Sequence, residues 1–345
     1  MSTGRGASTN PPNRYEPLHV EPDLDEPAGG VPTVFYRDAS RSILAENDSP
    51  DLPFRFSVNP YRGCEHGCIY CYARPSHEYL GFSAGLDFER RIMVKTDAPA
   101  LLRTALAAPR WEPQLVSLSG NTDCYQPVER RLALTRQCLE VFLELRNPVG
   151  VVTKSALVAR DADVLAALAA HHAAHVFVSI TTLDSELARR MEPRAARPEK
   201  RLEALATLAR AGVPVGVLVG PVIPGLTDEE IPRILAAARD AGARSASWVL
   251  LRLPAPVDRL FTAWLEEHYP DRVRRVLGRI RETHGGALTD AAFARRQRGA
   301  GEYARHVDVL FAAAARRYGL DRPLPPLSAA AFRRPARTGD QLKLL

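Results

Sequence analysis

Three cysteines, Cys64, Cys68 and Cys71, fall within eight residues, while Cys124 and Cys138 stand apart. Five cysteines in 345 residues do not make a disulfide framework, which staples small secreted domains; thiols clustered this closely are a soft ligand set for a metal. The CxxxCxxC spacing supplies three thiolates and no evident fourth. A closed structural zinc site takes four ligands, so a zinc reading needs His66 or a distant histidine, and a ligand inside the CxxxC span would strain the loop. A 4Fe–4S cubane held by three cysteines instead leaves one iron open to a small chelating ligand.

Other polar residues gather just after apolar runs. Ser119-Gly120-Asn121-Thr122-Asp123 follows one: the glycine allows close backbone approach, and the polar side chains offer acceptors for an ammonium group. Thr122 or Asp123 would serve equally as the cap of the helix expected from Glu129. Lys154 follows a second run, positioned for a carboxylate, a ribose or solvent, and Ser179 with Thr181 ends a third. Arg194 precedes a helix, and its fork matches either a ligand carboxylate or a surface ion pair. Asp228 and Glu229 read as charges at a helix N-terminus. Cys138 lies in an apolar helical stretch and reads as core.

These residues need elements to hold them. Apolar, β-branched runs at 55–59, 114–119, 150–153, 175–180, 213–219 and 246–251 predict six strands. Between them, 129–146, 161–171, 198–211 and 227–241 carry apolar residues at helical spacing, and Gly212 and Gly242 stand where C-caps feed a strand. Alternation of this kind implies an α/β fold with a parallel sheet covered by helices, first a whole or partial barrel and second a doubly wound sheet. In both, ligands meet the carboxyl ends of the strands. Helical patterns at 257–268, 272–283 and 301–318 add a C-terminal helical extension. The expected organisation is a disordered tail over 1–30, the α/β unit over 31–255, a helical region over 256–322 and a strap or tail over 323–345.

The mean hydropathy is −0.19, no apolar run reaches about 18 residues, and the first residues lack a secretory apolar segment, so the expected location is cytoplasmic, with no membrane partner. A net charge of +6 permits a polyanionic partner without requiring one. The C-terminal third concentrates Arg272, Arg274, Arg275, Arg279, Arg281, Arg295, Arg296 and Arg298, which face either nucleic acid or Glu282, Asp290 and Glu302.

The CxxxCxxC motif with Tyr70 before its last cysteine resembles the radical S-adenosylmethionine (SAM) superfamily. The longer stretch from Asn59 to Arg74 resembles the branch related to spore photoproduct lyase, over roughly residues 54–255. The resemblance implies a partial (β/α)6 TIM-like barrel. It also implies a 4Fe–4S cluster on Cys64, Cys68 and Cys71, whose open iron chelates the methionyl amine and carboxylate of SAM, with reduction giving methionine and a 5′-deoxyadenosyl radical that abstracts hydrogen from a substrate. It assigns residues 119–123 to the SAM amine, Lys154, Ser179 and Arg194 to its ribose or carboxylate, and Tyr70 and Val222 to its surroundings, Val222 lying in a segment similar to the superfamily's GxIxGxxE. Tyr72 resembles a radical-relay tyrosine and serves equally as a wall for the cluster. Cys124 would be a hydrogen-atom donor, although the lyase's cysteine falls a few residues earlier, near Gly120, which puts dimer repair in doubt. An electron donor such as flavodoxin or ferredoxin is the implied partner. The substrate is a nucleic-acid lesion, a peptide, an RNA or a metabolite, and a non-catalytic zinc- or cluster-bearing binding protein is the rival from another class.

Overall fold

In the computed structural model, which describes residues 32–335 together with Gly6, Ala7 and Pro11, each of the six expected runs contributes a strand. Along the chain the strands are β1 (Val34–Arg37), β2 (Leu44–Glu46), β3 (Phe56–Val58), β4 (Tyr61–Arg62), β5 (Arg91–Val94), β6 (Val116–Leu118), β7 (Val149–Thr153), β8 (Ala174–Ile180), β9 (Val215–Val222) and β10 (Ser245–Leu250). One sheet runs β10-β9-β8-β7-β6-β3-β2, with β2 antiparallel to β3 and every other pairing parallel. Its six parallel strands follow in sequence order with no reversal. A doubly wound sheet turns back at a switch point, so this order excludes it and gives a barrel left open between β10 and β2. The expected partial barrel is the observed architecture.

The strands are less uniformly apolar than a sheet buried by helices on both faces would be. Val149 and Val151, then Val176, Val178 and Ile180, then Val215, Val217 and Val219 belong to the main core, shared with the helices outside. The alternate residues, Gly150 and Val152, His175, Phe177 and Ser179, Gly216 and Leu218, fall on the inner face by the two-residue period of a strand. Glycine is required there for space: a Cβ at Gly216 would lie 2.4 Å from the Phe177 ring, and one at Gly150 2.7 Å from His175 Nε2. His175 and Phe177 line a lower cavity of about 540 Å³ with Leu115, Ser247 and Leu324, while Val152, Ser179 and Leu218 line an upper one.

Several elements differ from expectation. The helix expected over 129–146 is two, Glu129–Leu132 and Leu134–Leu145, broken at Ala133 in the left-handed region (φ 50°). The cause is the buried Glu129 carboxylate, which accepts from Tyr61 Oη at 2.5 Å, the Thr135 N–H at 3.0 Å and Arg160 at 2.7 Å, pulling the chain out of helical register. The antiparallel edge β2 and a second sheet, β1-β5-β4, are built from two- to four-residue strands too short to show a period.

The helices Val257–His268 and Val273–Thr283 share an apolar cluster with Cys68, Ile69, Tyr70, Leu187 and Met191, so they brace the cysteine loop directly. The helix Gly301–Tyr318 joins the main core through Val307 and Phe311. The open edge of β10 is covered: Leu250 N–H donates to Gln297 O and Ala246 N–H to Leu320 O. Residues 323–335 cross beneath the barrel, with Ser328 N–H on His172 O and Arg333 N–H on Leu145 O, while 336–345 lie outside the described residues. Of the expected tail, Ala7 is buried, its N–H donating to Glu89 at 2.9 Å; apart from Gly6, Ala7 and Pro11 that segment also lies outside the described residues.

Candidate active site at the carboxyl ends of the strands

The cysteine loop leaves β4 and is fixed at several points. Cys64 N–H donates to Phe88 O at 2.9 Å, Ile69 N–H to Met191 O at 3.0 Å, and Glu65 N–H to Gln126 Oε1 at 2.9 Å. Arg74 is fully buried beneath it, donating to the carbonyls of Cys68 (2.9 Å), Gly67 (3.2 Å), Ala84 (3.2 Å) and Gly85 (2.9 Å) and pairing with Glu89 at 2.5 Å. A planar guanidinium can meet several carbonyls at once, which an ammonium cannot do in one plane.

The upper cavity, about 220 Å³, brings the three thiols to one place with Tyr70, Tyr72, Ser119, Asn121, Thr122, Asp123, Lys154 and Ser179. Cys64 and Cys68 are buried and Cys71 half-buried, and burial pushes each thiol above its ordinary value, so thiolates there need a positive partner such as a metal centre. Among the described residues no three His, Cys, Asp or Glu side chains converge to hold a single metal ion. Three thiols lining one cavity are the soft donor set that an iron–sulfur cluster takes.

Asp123 is the clamp of one wall. Its carboxylate accepts from Thr153 Oγ1 (2.7 Å), Lys154 N–H (2.8 Å) and Tyr125 N–H (2.9 Å) and lies 3.4 Å from His66 Nδ1, tying the ends of β6 and β7 to the cysteine loop. Lys154 Nζ reaches across the next two strands, donating to Ser179 Oγ at 2.8 Å and Gly220 O at 2.6 Å, and lies 3.3 Å from Glu192. Glu192 is buried, pairs with buried Arg201 and accepts from Tyr70 Oη and Thr181 Oγ1. Burial alone would raise its carboxyl, but Arg201 and Lys154 outweigh burial and hold it well below the usual carboxylate range.

Four expected site residues lie away from this lining. Cys124 is buried in the main core, its N–H donating to Ser119 Oγ at 3.2 Å and its carbonyl accepting from Thr135 at 2.6 Å. With Asp123 clamped to β7, the following side chain turns towards the helices, which corrects the expected hydrogen-donor placement. Arg194 pairs with Glu65 at 2.7 Å, so the ion pair weighed against ligand binding is the one formed. Val222 is core at the end of β9, and Gly120 contributes its carbonyl, which accepts from Tyr72 Oη at 3.1 Å. Four of the eight C-terminal arginines are paired as well: Arg275 with Glu229, Arg279 with Glu282, Arg295 with Asp290 and Arg296 with Asp51; Arg272, Arg274, Arg281 and Arg298 make no ion pair among the described residues.

Sequence reading missed Glu192, Arg201, Arg74 and Arg252. The Glu192-Pro193-Arg194 stretch was a signal, but it pointed to the arginine. A fully buried arginine carries no mark that separates it from a surface one.

An open six-stranded barrel with three cysteines on the loop after its first parallel strand defines a recognisable class. The profile of the Radical SAM superfamily matches residues 58–238, more than half of the chain, and the chain belongs to that superfamily, whose cofactors are a 4Fe–4S cluster and SAM. An uncharacterized protein of Mycobacterium tuberculosis (strain ATCC 25618 / H37Rv) is 38% identical over 226 residues, 65% of this chain and 66% of that protein, so the match spans just under two thirds of the relative's own length. A radical SAM Nalpha-GlyT isomerase of Pseudomonas phage M6 is 23% identical over 265 residues, 73% of this chain and 51% of that one. Among solved structures, spore photoproduct lyase complexed with dinucleoside spore photoproduct superposes with a TM-score of 0.55 at 16% identity, covering 83% of this chain and 79% of that one. At that identity the likeness is one of fold.

Proposed function

We propose that this chain is a radical SAM enzyme in which Cys64, Cys68 and Cys71 hold a 4Fe–4S cluster and the upper cavity binds SAM beside a second substrate. The observation that carries this reading is the convergence of the three thiols and the polar ends of β6, β7 and β8 on one cavity. When bound, the cluster supplies the electron that cleaves SAM reductively. The chain's own residues bind and orient. Asn121 and Asp123 offer oxygens to an ammonium group, and Lys154 and Ser179 present polar atoms to a carboxylate or ribose. Tyr70, held by Glu192, walls the thiol end. Val152, Leu218 and Val249 supply an apolar lining that excludes water from a reactive intermediate.

Anaerobic reconstitution tests the reading: about four irons and four sulfides per chain are expected, lost when any one of Cys64, Cys68 or Cys71 becomes Ala and retained in Cys138→Ala. The reduced protein should then release 5′-deoxyadenosine and methionine from SAM. Stoichiometric zinc without acid-labile sulfide would sink it.

A further inference from the structure

The cations that line the upper cavity are not equivalent. Lys154 has Glu192 for its charge and three neutral oxygens for its protons. Arg252, which follows β10, is half-buried in the facing wall and among the described residues makes no ion pair and no side-chain hydrogen bond. Its guanidinium carbon sits 5.6 Å from the centroid of the Tyr72 ring. Asp51, the carboxylate whose field reaches it, is bonded to Arg296 and to the Ala294 N–H at 2.7 Å, so Arg252 shares that charge with a second arginine and has no ion pair of its own among the described residues. Burial and Arg296 together push the guanidinium below its ordinary value, the direction expected of a charge short of a partner.

Its backbone is held, with Leu251 N–H on Val222 O and Leu250 N–H on Gln297 O, and the Tyr72 ring beside it is tied to Gly120 O. A half-buried guanidinium costs free energy unless an acceptor meets it, and its five donors in a plane suit a carboxylate or phosphate. The residues that offer contacts to SAM lie at the ends of β6, β7 and β8, whereas Arg252 follows β10; Tyr72, 47% exposed, stands between, its Oη on Gly120 O and its ring beside Arg252.

We propose that Arg252 receives an oxyanion, a carboxylate or a phosphate, carried by the second substrate of this cavity; this rests on the function proposed above. Tyr72 is the platform that holds the guanidinium flat at the mouth, and the substrate brings the charge that the protein leaves out.

The test uses the reconstituted protein loaded with SAM. Phenyl phosphate and benzoate are titrated calorimetrically beside phenol, their neutral counterpart, on the parent, Arg252→Lys and Arg252→Leu. Iron, sulfide and the dissociation constant for SAM are measured on each. The parent is expected to bind at least one of the anions about tenfold or more tighter than phenol, as a charge-assisted fork allows. Arg252→Leu should lose that preference and Arg252→Lys keep part of it, with SAM affinity within about twofold in all three. Absence of anion preference in the parent, preference that survives Arg252→Leu, or a parallel loss of SAM affinity, which would give Arg252 to the SAM carboxylate, each overturns the proposal. A parent that holds no cluster and no SAM instead refutes the underlying function, and the iron and SAM measurements read that separately.

Discussion

Replacing Glu192 by Gln leaves an acceptor for Tyr70 and Thr181 but removes the negative charge from between two cations. Arg201 is 1% exposed and cannot find water, and Lys154, 3.3 Å away, is 16% exposed. Taking one partner from a buried pair costs about 3–5 kcal/mol, most of it the penalty of the orphaned charge, and here Arg201 carries the larger share. Arg201→Met alone leaves Glu192 with Lys154 and should fall at the lower end of that range. In the double variant the buried Arg201 and Glu192 charges are both gone and only the part-exposed Lys154 lacks its counter-ion, so the cost should be less than the sum of the singles by about 2–3 kcal/mol. Urea unfolding of the cluster-free protein, followed by the fluorescence of buried Trp111, Trp248 and Trp264, measures all four corners of the cycle. Costs that add within about 0.5 kcal/mol would refute the reasoning, because independent sites behave that way.

His77 is fully buried between Phe82 and Phe88, neither ring nitrogen has a hydrogen-bond partner among the described residues, and burial pushes its pKa down to about 4. The folded protein therefore binds fewer protons than the unfolded chain below the ordinary 6.5; stability should fall by about 3 kcal/mol as pH drops from 6.5 to 4, and His77→Phe should flatten that limb of the urea-midpoint profile. Cys124→Ala should leave SAM cleavage and product ratios unchanged while lowering the unfolding free energy read from urea titration by about 1–2 kcal/mol for a buried group of this size; altered hydrogen incorporation into product would restore it to the chemistry.

What the sequence made legible follows from range. Strands β6 to β10 and the cysteine spacing are local patterns, readable because period and ligand geometry are written within a few residues. Lys154 and Ser179 stand out for the same reason, since they follow apolar runs and the strand ends face ligands in any parallel α/β fold, and both line the upper cavity. Glu192 and Arg74 were not, because their meaning lies in partners such as Lys154, Arg201, Ala84 and Glu89 that only the fold brings together. Cys124 was misplaced by one strand-end turn: the sequence puts it beside Asp123, but the Asp123 clamp on Thr153 decides which of the two faces the cavity. The break at Ala133 belongs with these, since a buried carboxylate 68 residues from its partner Tyr61 overrode a good helical pattern.

Phe177, seated over Gly216, lines the lower cavity, while Val152 and Leu218 on the neighbouring inner-face positions put carbon on the lining of the upper one. Burial differs along this lining. Ser179 is 4% exposed and Lys154 lies just above it, whereas Tyr72 and Arg252 stand at the rim. Whatever rests against the first pair sits beneath whatever rests against the second. On the function proposed above, a guest on the more buried pair is shielded from solvent for as long as the one above it stays.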